Sequence, residues 1–173
     1  MQIINWILRF LGLAFLILFQ VLVLNKLNVS TYIHPYIYPM FIILLPFETP
    51  KWLLLPLAFF AGLSIDLFMV TGGMHAAACV FIAFIRPSLI KFYTPITGYE
   101  NVNAPSLSEL GVVWFSLFAL TIIFIHHSIY FLLQVFWMND IGYLLLKIIL
   151  STIISTLLII IFAFLFSKRK VRK

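Results

Sequence analysis

Charged residues are scarce in this sequence, and cysteine is almost absent. Of the 173 residues only 9% are charged, whereas 64% are hydrophobic, and the mean hydropathy is +1.17. A soluble domain needs more polar surface than this to cover its core, so the composition excludes a soluble globular protein. The single cysteine, Cys79, lies in an apolar segment, which excludes an intramolecular disulfide and a thiolate metal cage. The composition therefore predicts an integral membrane protein with little mass outside the bilayer.

Motifs that carry chemistry are also missing. The sequence has no glycine-rich phosphate loop, no nucleophile elbow and no pair of carboxylates. His126 and His127 are adjacent, and Tyr130 and Gln134 follow them, a pattern that raises the question of a metal or proton site. Adjacent histidines point about 100° apart on a helix, however, and no second acid accompanies them. Packing and interhelical hydrogen bonding is the favoured role, and we expect no catalytic residue, no metal and no cofactor.

Long apolar runs recur along the chain. At about 1.5 Å per residue, a helix needs about 20 residues to cross roughly 30 Å of hydrocarbon. We predict long helices at residues 3–24, 52–70, 74–90, 106–134 and 143–166. The first run is too long for the apolar region of a signal peptide and lacks a small-residue cleavage site, so we expect it to be retained. Ser106 and Glu109 have the spacing of a capping box at the start of the run at residues 106–134.

A shorter apolar segment, residues 36–45, lies between the first two of these helices. Ten residues are too few for a straight helix across the bilayer, and Pro35, Pro39 and Pro46 bracket and interrupt the segment. It is either a thin, kinked second helix extended to residues 32–47 or a re-entrant segment. We therefore predict an all-α polytopic membrane protein, a six-helix bundle whose second span is short or kinked. Residues 1–166 form this single bundle, and residues 167–173 form a basic cytoplasmic tail.

Basic residues predict the orientation of the chain. With six spans, nine basic residues lie in the cytoplasm and two outside, which agrees with the positive-inside rule. The cytoplasmic set is Arg9, Lys51, Arg86, Lys91 and the tail residues Lys168, Arg169, Lys170, Arg172 and Lys173, and the external set is Lys26 and Lys147. If residues 36–45 are re-entrant, only the first segment changes sides. A basic run directly after a span favours contact with anionic membrane lipid over nucleic acid.

Asp66 is the one acid placed inside an apolar helix, at residues 52–70. Ala58, Gly62 and Asp66 recur every four residues and share one helix face, so this face should contact protein and not lipid. An ionisable side chain at this depth costs several kcal/mol unless it has a partner, which makes it a candidate functional residue. Gly72 and Gly73 predict a tight reversal into the fourth helix, with the two helices antiparallel.

We consider three alternative partners for the Asp66 carboxylate. His75 lies just across the predicted turn, and Lys147 lies at the external start of the last helix. The backbone amides of Gly72 and Gly73 are the third possibility. Arg86 lies toward the opposite end of the fourth helix, so an ion pair between Asp66 and Arg86 is not expected.

Together these features resemble MreD, a family of rod shape-determining membrane proteins of bacteria. The chain is small, has about six spans and almost no extramembrane mass, carries Ala61-Gly62-Leu63-x-x-Asp66 late in the third span, and continues into a glycine turn. Two features depart from the family pattern, namely Gly73-Met74 in the turn and the long polar connection at residues 93–109. The candidate functional or partner-interface residues are Gly62, Leu63, Asp66, Gly72, Gly73 and His75.

The resemblance implies a non-enzymatic scaffold of the cell-elongation complex in the bacterial inner membrane. Such a scaffold helps to maintain cell shape by coupling MreC, the MreB system, RodA and a penicillin-binding transpeptidase during peptidoglycan synthesis. The resemblance also implies a fold similar to the six-helix substrate-binding subunits of energy-coupling-factor transporters, although a shared fold does not transfer activity. A homodimer is compatible with this picture.

Two other function classes remain open. A transporter binding subunit would need an externally open pocket, lined by groups such as Asp66, His75, Asn139 and Asp140. An alanine-rich helix face would meet its energising partner, and the fourth helix offers Ala76, Ala77, Ala78 and Ala83. An intramembrane enzyme would use His126, His127 or Asp66, and the missing second acid or nucleophile argues against it.

Overall fold

The computed structural model describes residues 2–27, 30–96, 98–99, 102–134 and 141–166. Within these residues the chain is all-α, with no strand. The helices are α1 (Gln2–Leu22), α2 (Met40–Ile43), α3 (Lys51–Met69), α4 (Met74–Phe92), α5 (Leu107–Gln134) and α6 (Ile141–Phe166), and a 3₁₀ turn, Leu24–Lys26, follows α1. Five of the helices are long and apolar enough to cross a membrane. The molecule is a multi-span helical membrane protein.

The five long helices confirm the runs predicted from hydropathy, with small shifts at their ends. One feature of α5 differs from the prediction. Gly111 has a φ of 83°, a left-handed conformation that glycine adopts without steric cost, and it kinks the first turns of the helix. Ser106 directly precedes α5, as expected for a cap, but its hydroxyl pairs with the hydroxyl of Ser108 at 2.8 Å.

The long helices form a ring. Helix α3 packs against α4, α4 against α5, and α5 against α6, while α1 contacts α3. Aromatic contacts close the ring between α1 and α6, where the ring centroids of Phe19 and Phe162 lie 5.1 Å apart. Most of the outward surface of α1 is apolar and exposed, as expected for a helix that faces lipid. The ring leaves a central space that another part of the chain must fill.

Residues 35–46, which we name the central segment, fill the inside of the ring. Ile37, Tyr38, Ile42 and Ile43 are all 0% exposed. Only Met40–Ile43 forms a helical turn, and the residues before it have no regular structure. Extended chain advances up to about 3.3 Å per residue, roughly twice the rise of a helix, so a partly extended segment reaches farther than ten helical residues would. The single turn agrees with the predicted short second helix, although the helix does not extend over residues 32–47.

The two ends of the central segment are held at opposite ends of the ring. At its start, the Gln20 side chain donates to the Pro35 carbonyl at 2.9 Å and accepts the Ile37 N–H at 2.8 Å. At its end, Arg9 Nη1 donates to the Leu44 carbonyl at 2.8 Å. Gln20 and Arg9 are separated by about 16 Å along α1, at 1.5 Å per residue. The segment therefore crosses the ring and is not re-entrant.

Arg86 secures the same end from α4. Its guanidinium, 0% exposed, donates to the carbonyls of Ile43, Leu45 and Pro46. Carbonyls at the end of a helix lack intrahelical partners and carry partial negative charge, so a buried cation is stabilised there. The expected absence of an Asp66–Arg86 pair is confirmed, because Arg86 is committed to the central segment.

Candidate functional site

Asp66 caps the N-terminus of the neighbouring helix. Its side chain is 4% exposed, and its two carboxylate oxygens accept the backbone N–H groups of His75 at 3.0 Å and Ala76 at 2.8 Å. The Thr71 hydroxyl donates to the same carboxylate. The first N–H groups of a helix have no partner within it, and they carry partial positive charge that favours an anion. Asp66 therefore fastens α3 to the start of α4 from inside the bundle.

This geometry refines the three partners expected for Asp66. The amide contacts come from the first turn of α4 and not from Gly72 and Gly73. His75 takes part through its backbone, while its imidazole points elsewhere. Lys147 is not a partner, because its ammonium donates to Gln134 at 3.0 Å and lies 4.8 Å from the ring centre of Phe131. The buried carboxylate of Asp66 is thus stabilised by backbone N–H groups at a helix N-terminus and not by an ion pair.

Gly62 allows α3 and α4 to approach closely enough for this cap. A Cβ atom at residue 62 would lie 2.5 Å from the Cα of Ala76 and 2.5 Å from the carbonyl oxygen of His75. Both are backbone atoms, so no rotation of a side chain could relieve the overlap. Ala58 and Ala61 are buried along the same helix, whereas Phe60 and Leu67 are exposed. The predicted face of small residues is confirmed.

The reversal between the two helices depends on left-handed backbone. Gly72 and Gly73 have φ values of 62° and 92°, and Val70 adopts a left-handed conformation at 54°. Glycine takes this conformation at little cost, but a β-branched residue does not. The N–H groups of Val70 and Thr71 both donate to the Asp66 carbonyl. The main-chain carbonyl of Asp66 thus stabilises the turn, and its side-chain carboxylate stabilises the start of α4.

His75 directs its imidazole into the ring, where it meets the central segment. The Tyr38 hydroxyl lies 2.8 Å from His75 Nδ1 and 2.7 Å from His126 Nε2. A hydroxyl has one proton, so Tyr38 donates to one imidazole and accepts from the other. The Tyr130 ring stacks on His75 at 4.2 Å between centroids. We name Tyr38, His75, His126 and Tyr130 the histidine–tyrosine cluster, and it joins α4 and α5 through the central segment.

His127 forms a separate contact with α6. Its Nδ1 lies 2.9 Å from the Ile123 carbonyl and therefore carries the proton, so its Nε2 accepts from Ser155 at 3.2 Å. The Ser155 hydroxyl in turn accepts the Tyr36 N–H at 2.9 Å. The two adjacent histidines thus face different partners, as their helical spacing predicts. Among the residues that the structure describes, no group of three or more His, Cys, Asp or Glu is placed to hold a metal ion.

A large apolar groove runs along the outer side of the same hairpin. We name it the α3–α4 groove; its volume is about 880 Å³. Its lining includes Leu55, Phe59, Leu63 and Leu67 of α3, Gly72 and Gly73 of the turn, and Ala77, Val80, Phe81 and Phe84 of α4. Asp66 and Ala76 also border it, so the carboxylate cap holds the two walls of the groove at their spacing. Of the candidate residues, Leu63, Asp66, Gly72 and Gly73 line this surface, whereas Gly62 faces the backbone of α4 and the His75 imidazole points into the ring.

Several residues that shape the site have little signal in the sequence. Tyr36 and Tyr38 lie in a segment whose path could not be predicted. The alternation Tyr36-Ile37-Tyr38 is nevertheless typical of extended chain, in which the two tyrosines lie on one face and the isoleucine on the other. Asn139 and Asp140, proposed above as pocket residues, lie outside the described residues, as do Lys168, Arg169, Lys170, Arg172 and Lys173 of the tail.

The chain was compared with known families, proteins and structures. No family model, no curated protein and no solved structure matches the chain.

Proposed function

We propose that this protein is a non-enzymatic membrane scaffold of the bacterial cell-elongation complex, as the resemblance to the MreD family implies. The observation that carries the proposal is the α3–α4 groove. It is apolar, faces outward, and has walls fastened by the buried Asp66 cap. A fixed apolar surface whose one carboxylate, Asp66, is bound to backbone N–H groups is suited to binding another protein.

The occupant that fits the groove is a single transmembrane helix. From Leu55 to Leu67 the α3 wall extends about 18 Å, more than half of the hydrocarbon thickness. Gly72, Gly73 and Ala77 lie toward one end, where a second backbone can approach closely, and the phenylalanines form the other end. Helices associate in lipid through such packing, because the hydrophobic effect does not favour association there.

Within this proposal the bound helix belongs to MreC. The MreB system, RodA and the penicillin-binding transpeptidase are the further members of the assembly, in the bacterial inner membrane. The C-terminus lies in the cytoplasm, as the basic residues predict. The protein acts by holding the MreC helix beside the peptidoglycan synthases, and it needs no catalytic residue for this.

The interior of the ring offers no support for the alternative of a transporter binding subunit. That function needs an open pocket between the helices, but the central segment occupies this space. Asp66 is committed to backbone amides, and the His75 imidazole is covered by Tyr38 and Tyr130. Neither side chain is free to contact a vitamin-sized ligand.

Depletion in the bacterial host tests the proposal. Cells that lose the protein should become round, and added nutrients should not restore their shape. Wild-type protein should restore it, whereas Ala77→Trp, which fills the α3–α4 groove, should not. The matched control is Ile153→Trp, at an exposed position of α6 outside the groove. Rescue by nutrients, or full rescue by Ala77→Trp at normal protein levels, would contradict the proposal.

A further inference from the structure

Two cavities meet at Arg9, at the end of the ring where the central segment leaves it. The first, of about 510 Å³, lies between α1 and the central segment and is otherwise apolar, with Leu8, Gly12, Leu16 and Phe41 in its lining. We name it the α1 groove. The second, of about 620 Å³, contains Trp6, Glu48, Tyr99 and Asn103. We name it the polar cleft. Arg9 lines both cavities.

The order of the two cavities along the molecule matches the order of the parts of a phospholipid. Along α1 the groove extends from Leu16 to Leu8, and the cleft follows at Trp6, nearer the end of the helix. Along the central segment the same order holds, with Phe41 in the groove and Phe47 in the cleft. An apolar channel thus opens into a polar compartment with a cation at the junction. An acyl chain, a phosphate and a headgroup would meet these three environments in that order.

Arg9 retains capacity to bind an anion. One nitrogen, Nη1, donates to the Leu44 carbonyl, and the guanidinium lies 6.0 Å from the centre of the Trp6 ring. Neither contact neutralises the positive charge. A guanidinium has five N–H donors and binds phosphate strongly, often through two of them. The Leu44 contact orients the group, because it fixes one side of the guanidinium against buried backbone.

The polar cleft contains an acid as well as the cation. Glu48 is exposed and lines the cleft together with Arg9 and the polar side chains of Tyr99 and Asn103. An acid beside the phosphate position would repel a headgroup that carries only negative charge. It would attract one in which an ammonium group follows the phosphate. The two charges of the cleft therefore complement those of a zwitterionic headgroup, and the primary ammonium of phosphoethanolamine, unlike the trimethylammonium of phosphocholine, can also donate hydrogen bonds to the Glu48 carboxylate.

We propose that Arg9, Glu48 and the α1 groove form a binding site for one phospholipid with a phosphoethanolamine headgroup. The phosphate lies on Arg9, the ammonium lies near Glu48, and one acyl chain occupies the α1 groove past Gly12. This site is on a different part of the ring from the α3–α4 groove, so it does not depend on the partner proposed there. The bound lipid would cover the junction of α1 with the central segment.

Native mass spectrometry of the purified full chain tests the site with three added lipids of equal acyl composition. Phosphatidylethanolamine should be retained in preference to phosphatidylglycerol and phosphatidylcholine. Glu48→Gln should remove this preference. Arg9→Gln should lower retention of phosphatidylethanolamine by about tenfold, the loss expected for one charge-assisted hydrogen bond. Lys26→Gln, which removes a positive charge at the other end of α1, should leave retention unchanged.

A substitution in the groove separates lipid binding from folding. A Cβ at residue 12 would contact no atom within 4 Å, so Gly12→Leu fills the α1 groove without a clash at the Cβ. It should lower retention of all three lipids, whereas Ala14→Leu, at an exposed position of the same helix, should not. Equal retention of the three lipids by the wild-type protein would overturn the proposal. Unchanged retention in Gly12→Leu would also overturn it.

Discussion

Replacement of Asp66 by alanine should destabilise the protein strongly, even though no salt bridge is lost. The carboxylate accepts two backbone N–H groups, those of His75 and Ala76, and the hydroxyl of Thr71. Each buried N–H left without a partner costs about 1–3 kcal/mol. Loss of the anion at the start of α4 adds about 0.3–1 kcal/mol from the helix dipole. Asp66→Ala should therefore cost about 2–7 kcal/mol.

Asparagine should cost less than alanine. Its side chain has nearly the same shape as aspartate, but it has one acceptor oxygen and a donor group in place of the second. One of the two N–H groups of α4 thus loses its acceptor, and the negative charge is lost. We expect a cost of about 2–4 kcal/mol for Asp66→Asn, from one charge-assisted hydrogen bond and the dipole.

Thermal unfolding in one detergent, followed by tryptophan fluorescence, provides the assay. The melting temperature should fall in the order wild type, Asp66→Asn, Asp66→Ala. Because helical membrane proteins often unfold irreversibly, all variants are compared at one heating rate. Ser64→Ala is the matched control, since the Ser64 hydroxyl donates only to the Phe60 carbonyl of its own helix. If Asp66→Ala had the same melting temperature as the wild type, the carboxylate would not stabilise the contact between α3 and the start of α4.

Three further predictions concern the ring and its central segment. Gly62→Ala should destabilise the protein by about 1–3 kcal/mol through overlap with backbone and so lower the melting temperature, whereas Gly12→Ala, whose Cβ meets open space, should not. Tyr38→Phe should destabilise the protein by about 1–3 kcal/mol and lower the melting temperature, because at least one buried imidazole nitrogen loses its partner. Tyr32→Phe, at an exposed position, is the control, and equal melting of the two would refute the role of the hydroxyl. Burial, followed by the charge of Lys147, lowers the pKa of His34 below its ordinary 6.5. The unfolded chain therefore binds a proton at His34 more readily than the folded chain does, and the free energy of unfolding decreases as the pH falls below 6.5. The protection of amides near residue 34 against hydrogen exchange, measured relative to the intrinsic rate at each pH, should therefore decrease in the wild type as the pH falls from about 7 to about 5, and decrease less in His34→Gln; an identical decrease in both would exclude His34 as the cause.

Hydropathy predicted the five long helices because a lipid-facing helix leaves a signal along its whole length. The hairpin of α3 and α4 was predictable for a related reason. Small residues every four positions, an acid and a glycine pair all require a close antiparallel approach, and the structure has it at Gly62 and Asp66. The carboxylate's partners were harder to predict, since backbone amides have no sequence signature.

The central segment could not be predicted from its own residues. Its path depends on polar side chains of three long helices, Gln20 of α1, Arg86 of α4 and Ser155 of α6, each of which satisfies backbone groups that hydrocarbon would leave unpaired. Such partners are far apart in sequence, so local periodicity contains no trace of them. The same holds for the histidine–tyrosine cluster, in which Tyr38 joins His75 and His126 across three elements.

The proposed binding of a partner helix in the α3–α4 groove is the claim on which the function depends most. A photocrosslinking amino acid at residue 67, an exposed leucine in the groove, tests it directly in living cells. The account predicts an adduct with MreC from residue 67 and none from residue 149, an exposed isoleucine of α6. Adducts of equal yield from both positions, or an adduct from residue 67 only with lipid or a second copy of this chain, would contradict it.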